Sequence, residues 1–163
     1  YQKLDLLNFL SYASFYLIIV VIDAYIKNNI NADMIQIVQL HGTDKKLYEL
    51  VAPLVMSPEV LKQNYNYPFR TSEEYEWFVA LDNKHVVGFV PVEHKKYECV
   101  INNYYIKERN VDTLKLLLEK VLEKQGEESS LTAVSFVEDR DVFSELGFLE
   151  DKVWTRYVKM KKN

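Results

Sequence analysis

Residues 97–124, YECVINNYYIKERNVDTLKLLLEKVLEK, decide the fold predicted for this chain. They divide into a strand over residues 99–106, rich in β-branched and aromatic residues that suit a pleated surface, and an amphipathic helix. The apolar residues of the helix recur every three or four positions and form one stripe: Leu114, Leu117, Leu118, Val121 and Leu122. A charged loop, residues 107–112, joins the two. Because a helix start presents free N–H groups and the positive end of its dipole, this loop is a candidate anion site.

The sequence on either side of this segment predicts a regular series of strands and helices. Upstream it predicts a strand over residues 34–40, a helix with Thr43 or Asp44 as its N-cap, and a second helix over residues 58–64. Two strands joined by a tight turn follow, over residues 75–81 and 85–92. Downstream it predicts a strand, a short helix stopped by Gly147, and a last strand, over residues 131–137, 140–146 and 153–160. The order is β-α-α-β-β-β-α-β-α-β. Gly88, inside a strand, indicates a bulge or a close backbone approach.

The first 33 residues differ in composition from the rest. Residues 9–26 form an apolar run with one charge, Asp23, and their length is borderline for a membrane span. Residues 28–33 are polar and are interpreted as a linker. We therefore expect a domain over residues 34–163, preceded by a hydrophobic segment and linker over residues 1–33. Three interpretations of that segment stay open: a membrane anchor, an extra helix packed on the domain, or upstream sequence foreign to the natural product.

Composition excludes several classes of protein. With 163 residues, 48% of them hydrophobic, the chain is long enough for one domain with a substantial core and is too apolar to be disordered. A net charge of −4 argues against nucleic acid as a partner. The single cysteine, Cys99, suits a reducing compartment, so we expect a cytoplasmic protein unless residues 9–26 reach a membrane. The histidines lack the spacing of metal ligands, so no metal site is expected.

Two local patterns resemble the Gcn5-related N-acetyltransferase (GNAT) superfamily. Residues 143–148, FSELGF, look like the aromatic-x-x-hydrophobic-Gly-Phe ending of that family's last helix. Residues 104–106, the charged loop and the Leu116-Leu117 pair are placed like its cofactor-binding motif. The resemblance covers residues 34–160. It implies an α+β fold in which a central, mostly antiparallel, twisted sheet is flanked by helices.

The resemblance also implies a function and a cofactor site. The implied activity is an acyl-CoA-dependent N-acyltransferase, which moves acetyl from acetyl-CoA to a primary amine, on a small molecule or a protein, by direct attack. Many members are dimers, so a homodimer is one expectation. The strand's main chain would pair with the pantetheine arm and the loop amides would hold the diphosphate. The cofactor-binding residues implied are Tyr105, Ile106, Lys107, Arg109, Asn110, Val111, Asp112 and Thr113.

Two departures from the family pattern motivate an alternative function. The family's phosphate loop usually carries glycines that let the backbone approach the diphosphate, whereas residues 108–113 contain none. Asp112 places an acid there, and we expect it to act as the N-cap of the following helix. Phe143 stands where the family often has the tyrosine that protonates the departing thiolate. The alternative is a GNAT-like binding or interaction module that has lost catalysis.

Direct transfer requires a general base, because a protonated amine is not nucleophilic. The candidates are Glu138, Glu93 and His94, which lie near predicted strand ends. Tyr104, Tyr105 and water are the alternatives to the missing tyrosine, and Tyr105 is the one selected. The proline-broken segment 65–70 is rich in aromatic residues, as ligand-lining loops often are. It makes Tyr65, Tyr67 and Phe69 candidates for acceptor binding, with packing against the sheet as the alternative.

Overall fold

The structure, a computed structural model, describes residues 18–22, 34–126 and 130–162. The chain divides into two compact units, residues 1–34 and 35–163. In the first unit, residues 18–22 are helical, and the rest of the apolar run 9–26 lies outside the described residues. Within the described part of the chain, no helix has the length and apolarity required to cross a membrane.

The second unit contains eight strands and four α-helices among its described residues. In chain order they are β1 (Gln36–His41), α1 (Lys45–Val55), α2 (Pro58–Gln63), β2 (Tyr75–Asp82), β3 (His85–His94), β4 (Cys99–Ile101), β5 (Tyr105–Ile106), α3 (Val111–Gln125), β6 (Leu131–Phe136), α4 (Arg140–Glu145), β7 (Leu149–Val153) and β8 (Tyr157–Lys162). Short 3₁₀ turns, Lys107–Arg109 and Val137–Asp139, precede α3 and α4.

One mixed sheet organises this unit. Its strand order is β1-β2-β3-β4-β6-β8-β7, and β5 pairs with β3 outside that path. The pair β4–β6 is parallel and the other pairs are antiparallel. The predicted α+β class, a mostly antiparallel sheet flanked by helices, is confirmed.

Helices bury apolar side chains against the sheet in two clusters. The larger cluster contains the predicted stripe of α3, whose Leu114, Leu117, Leu118 and Val121 are at most 2% exposed, with Leu122 at its edge. The smaller cluster is formed by α1 against strands β2 and β3, through Leu47, Val51, Trp77, Val79 and Phe89. The three- and four-residue spacing thus correctly identified the buried face of α3.

Two predicted strands are each divided. The expected strand 99–106 is broken into β4 and β5 by residues 102–104. On the edge of β3 that pairs with β4 and β5, residues 90–92 pair with neither strand. Pro91, in the middle of this interval, has no N–H to donate. The expected last strand, 153–160, is also wrong: β7 ends at Val153, and Trp154 N donates to Tyr157 O (2.8 Å) across a tight turn before β8.

Gly88 has both of the properties that the sequence indicated. The β2–β3 register shifts next to it, since Ala80 pairs with Gly88 but Leu81 pairs with Val86. A Cβ atom on Gly88 would lie 3.0 Å from Tyr105 O. The missing side chain therefore allows β5 to lie close against β3, where it forms the first wall of the site described below.

Candidate functional site

A gap opens in the middle of the sheet where β4 and β6 diverge. The two strands pair over three residues each, from Cys99–Leu131 to Ile101–Ala133. Beyond that point the chain after β4 turns to β3 as β5, while β6 continues beside β8. Residues 102–106 form one wall of the gap and the second half of β6 forms the other.

Tyr104 bridges the two walls of this gap. Its side chain is 2% exposed, its hydroxyl donates to Asp139 Oδ2 (2.7 Å), and the same hydroxyl accepts from Phe136 N (3.2 Å). Burial raises the pKa of Tyr104 well above the usual phenol range, and the Asp139 carboxylate raises it further. Burial also raises the pKa of Asp139, against the lowering effects of the Tyr104 hydrogen bond and the Arg109 charge. Tyr104 is therefore a protonated donor inside the gap.

A narrow cavity lies beside Tyr104 at the start of α3. Its volume is about 10 Å³, close to the space of one water molecule. It draws its lining from both walls of the gap, from α2 and from α3: Gln63, Tyr104, Ile106, Arg109, Asn110, Leu114, Phe136 and Asp139. The Arg109 guanidinium lies 5.1 Å from the Phe136 ring centroid, and its Nη1 lies 3.8 Å from Glu138 Oε2. Two residues predicted for separate roles, Arg109 and Glu138, thus form one ion pair, of which Arg109 lines this cavity.

The loop before α3 has a left-handed backbone at two consecutive residues that are not glycine. Glu108 has φ 55° and Arg109 has φ 52°, a region that glycine adopts without strain and that other residues rarely adopt. Lys107, Glu108, Asn110 and Thr113 line a recess of about 210 Å³ on one side of this loop. The loop therefore adopts an unusual conformation although its sequence lacks the residue that favours it.

Asn110, and not Asp112, is the N-cap of α3. Asn110 Oδ1 accepts from Thr113 N (2.9 Å), while Asp112 lies exposed in the first turn. The expected cap was wrong because the helix begins at Val111, which places Asp112 inside it. The amides of Val111 and Asp112, in the first turn, have no intrahelical acceptor and are available to an anion.

A second cavity, which we call the asparagine cavity, lies farther along the gap. Its volume is about 230 Å³, and its lining again includes both walls: Asn64, Tyr67, Asn102, Val134 and Tyr157. Of the three aromatic residues predicted to bind an acceptor, Tyr67 lines this cavity. Tyr65 packs against Phe136 and Tyr157, with ring centroids 6.0 and 5.7 Å away. Phe69 packs in the core against Phe89 (5.0 Å), as the packing alternative expects.

Glu93 lies next to the asparagine cavity. Its Oε2 accepts from Asn102 Nδ2 (3.3 Å) and lies 3.5 Å from Lys95 Nζ. The neighbouring Asn103 donates instead to Pro68 O (3.2 Å), which attaches the aromatic loop to the β4–β5 connection. The two predicted bases thus occupy different positions, with Glu93 beside the asparagine cavity and Glu138 beside Arg109.

Tyr105 belongs to the other side of β5. Its ring packs on Phe89 at 5.5 Å, and it lines neither the narrow cavity nor the asparagine cavity. Burial raises the pKa of its hydroxyl. Because side chains alternate along a strand, the neighbour Tyr104 faces the gap in its place. Val111 is exposed, and Phe143 is buried with its ring 5.8 Å from that of Tyr104.

Several lining residues were not among the sequence candidates. They are Gln63, Asn64, Phe136, Asp139 and Tyr157. Gln63 and Asn64 lie at the end of α2, Phe136 and Asp139 at and just after the end of β6, and Tyr157 at the start of β8. No local spacing connects these three places in the chain. The one local signal was position: Phe136 is the last residue of β6 and Asp139 follows that strand, close to the predicted Glu138.

The fold is similar to that of solved structures, several of which are named as acyltransferases. No protein-family model matches the sequence, and no curated protein does. The chain is similar to ElaA of Escherichia coli (15% identity, TM-score 0.63, 80% of this chain and 100% of that one). It is similar to an acyl-CoA N-acyltransferase of Pseudomonas aeruginosa (13% identity, TM-score 0.62, 78% of this chain and 99% of that one). It is also similar to a GNAT family acetyltransferase of Elizabethkingia anophelis with acetyl-CoA bound (16% identity, TM-score 0.54, 79% of this chain and 97% of that one). These likenesses show that the chain has the GNAT fold.

Proposed function

We propose that residues 34–163 form an acyl-CoA-dependent N-acyltransferase domain that transfers acetyl from acetyl-CoA to a primary amine. The observation that carries the proposal is the gap between residues 102–106 and β6. It has the start of α3 at one end and the asparagine cavity at the other. Once the Tyr104 side chain has moved, the gap would hold an extended thioester arm between the helix start, which would bind the phosphates, and a site for the amine. The Elizabethkingia structure, with acetyl-CoA bound in the same fold, supports this assignment.

The cofactor arm would lie along β5 and the start of α3. Arg109, Asn110 and Ile106 line the narrow cavity, and Lys107, Asn110 and Thr113 line the recess beside it. Lys107 and Arg109 supply positive charge, and the first amides of α3 supply N–H donors for phosphate oxygens. Entry of the arm requires the Tyr104 side chain to move, because the Tyr104 hydroxyl already accepts the hydrogen bond that Phe136 N donates.

The chemistry is attack of the amine nitrogen on the thioester carbonyl, followed by departure of the thiolate. Glu93 is the carboxylate next to the asparagine cavity and is our candidate base, which would reach the amine through water. Tyr104 is the protonated phenol in the gap and is our candidate donor to the thiolate, in place of Phe143 and of the predicted Tyr105. Holding amine and carbonyl in contact would supply most of the rate enhancement.

The alternative of a non-catalytic binding module also has an observation in its favour. Tyr104 closes the gap, and the acids Asp82 and Glu108 line the recess in which a phosphate would sit. Both features oppose a bound diphosphate.

Calorimetry of the full chain with acetyl-CoA separates the two functions. The acyltransferase predicts saturable heat and an increase in Tm with acetyl-CoA, and no such response with acetate and pantothenate at the same concentrations. If neither heat nor a Tm shift is seen at millimolar acetyl-CoA, the acyltransferase proposal is wrong and the binding-module alternative stands.

A further inference from the structure

Phe136, the last residue of β6, is the point at which contacts from three other segments of the chain meet. It is 5% exposed. From the opposite wall of the gap, the Tyr104 ring lies 5.3 Å from the Phe136 ring, and the Tyr104 hydroxyl accepts from Phe136 N (3.2 Å). The Tyr65 ring, in the loop after α2, lies 6.0 Å away, and the Arg109 guanidinium, in the loop before α3, lies 5.1 Å away. These contacts together span the gap.

The contacts leave almost no space between the walls at this point. The cavity that Tyr104, Arg109 and Phe136 line has a volume of about 10 Å³, which is room for about one water molecule. A thioester arm cannot enter a space of this size. The structure therefore shows a closed state of the gap, and a cofactor needs an open one.

Both loops that contact Phe136 contain strained backbone. Tyr65 and Asn66 have φ 50° and 61°, and Glu108 and Arg109 have φ 55° and 52°. This left-handed region is unfavourable for most residues with a side chain, and it persists where surrounding contacts impose it, often at switch regions. Loss of the contacts on Phe136 would let both loops relax. The strain therefore reduces the free-energy difference between the closed gap and an open one.

Arg109 is held across the gap although it is a candidate phosphate ligand. Its guanidinium lies over the Phe136 ring, and its Nη1 lies 3.8 Å from Glu138 Oε2. A guanidinium that contacts the opposite wall is not free for a phosphate oxygen, so cofactor binding has to break this pair. Closure and cofactor binding thus compete for Arg109 as well as for the space that Tyr104 occupies.

We infer that the domain is autoinhibited: contacts on Phe136 hold the gap closed, and acyl-CoA binds to a minor open state in which Tyr104 and Arg109 have left the opposite wall. This inference rests on the proposed function and adds a regulation of its cofactor site. When only a fraction of the protein is competent to bind, the apparent Kd is the intrinsic Kd divided by that fraction. A change that weakens the closed state therefore tightens binding, whereas loss of a contact in a preformed site weakens it.

Two neighbouring tyrosines provide a matched pair of variants for calorimetric titration of the full chain with acetyl-CoA. Tyr104→Phe removes the hydroxyl that joins the walls and leaves the net charge unchanged. Tyr105→Phe removes the same group from a ring that packs on Phe89. We expect Tyr104→Phe to bind acetyl-CoA about tenfold more tightly than the unmodified chain, the factor that corresponds to a lost hydrogen bond to a charged group, and Tyr105→Phe to change affinity less than about twofold.

A second pair of variants tests the Arg109 contact and serves if Tyr104→Phe fails to fold. Glu138→Gln breaks the pair with Arg109, and Glu145→Gln, at a glutamate of α4 that pairs with Lys115, makes the same change in net charge. The pair of Arg109 with Glu138 is partly exposed and screened by solvent, so we expect Glu138→Gln to tighten acetyl-CoA binding by only about two- to fivefold. Equal affinities of the two glutamate variants would overturn the part of the inference that concerns Arg109.

Failure of this inference can be distinguished from failure of the proposed function. If the unmodified chain binds acetyl-CoA and Tyr104→Phe binds it equally or more weakly, the autoinhibition is wrong and the acyltransferase proposal stands. Binding by Tyr104→Phe alone would support the closure and overturn the acyltransferase, because the unmodified chain then takes up no cofactor. Absence of binding by both chains would overturn both.

Discussion

The Tyr104 hydroxyl donates a hydrogen bond of 2.7 Å to Asp139 Oδ2 and so joins the two strands that diverge in the middle of the sheet. The same oxygen accepts from the backbone N–H of Phe136, and the phenol is almost completely buried. Tyr104 thus links the segment between β4 and β5 to the end of β6. No sheet hydrogen bonds join these two parts of the chain at this point.

Removing that hydroxyl tests its contribution to stability. We expect Tyr104→Phe to lower the free energy of unfolding by about 1.5–3 kcal/mol, because it deletes a hydrogen bond to a carboxylate and leaves the Phe136 N–H without its acceptor. Urea denaturation followed by circular dichroism measures the change. Tyr97→Phe, at a tyrosine that is 81% exposed, is the control and should be neutral within about 0.5 kcal/mol. A neutral Tyr104→Phe would contradict the bridging role.

Asp139 should make stability depend on pH in a defined direction. Burial raises the pKa of its carboxyl in the folded protein above the ordinary value of 3.8, so the folded state holds the proton more tightly than the unfolded state. Stability from this group therefore falls as pH rises from about 3.8 through the raised folded value. The free energy of unfolding of Asp139→Asn minus that of the unmodified chain should accordingly increase with pH in this window. A difference that decreases would reverse the sign of the shift.

The Tyr104 variant provides an internal check on this pH effect. The Tyr104 hydrogen bond lowers the pKa of Asp139, so its removal in Tyr104→Phe should raise that pKa further. The loss of stability with rising pH should then be larger in Tyr104→Phe than in the unmodified chain. Urea midpoints measured at several pH values would show it.

Charge reversal tests the loop before α3 as the phosphate site. Lys107→Glu and Arg109→Glu should each weaken acetyl-CoA binding about tenfold or more at low salt, and the difference should shrink as salt screens the charges. Lys120→Glu, at a lysine on α3 that pairs with Glu123, makes the same change in net charge outside the loop and should have little effect. Calorimetry supplies the affinities. If all three variants bind equally, the loop is misassigned.

A glycine at position 108 should relieve backbone strain. Glu108 has φ 55°, a conformation that costs a residue with a side chain about 1–2 kcal/mol and costs glycine little. We expect Glu108→Gly to raise the free energy of unfolding by up to about 1 kcal/mol. Glu119→Gly, in the interior of α3, is the matched control and should lower it by about 1 kcal/mol. Destabilisation by both variants would argue against strain at Glu108.

Glu93 is tested as the base by its amide variant. Glu93→Gln keeps an acceptor for Asn102 Nδ2 but cannot take a proton, so kcat should fall about 10²–10⁴-fold, with a smaller change in KM for the amine. Glu73→Gln, at an exposed glutamate before β2, is the control. A larger loss in Glu138→Gln than in Glu93→Gln would assign the base to Glu138.

Local sequence patterns predicted much of the fold because each pattern reports a local force. The spacing of the α3 leucines identified its buried face, Ser57-Pro58 identified the start of α2, and Gly147, with φ 88°, ended α4 as expected. The same patterns could not divide residues 99–106 or 153–160, because these runs are rich in strand-forming residues and contain no glycine or proline. The breaks appear only in the pairing, in which β5 turns to β3 and β7 folds back on β8.

The sequence alone determined that a strand, a charged loop and an amphipathic helix would follow one another over residues 97–124, since periodicity and residue type are properties of the local chain. It did not determine which tyrosine faces the gap, because alternation on a two-residue strand depends on how β5 pairs with β3. Only the tertiary structure placed Asp139, Tyr157 and Asn64 beside Tyr104, Asn102 and Glu93. These residues are far apart in sequence and meet because β4 and β6 pair over three residues and then diverge.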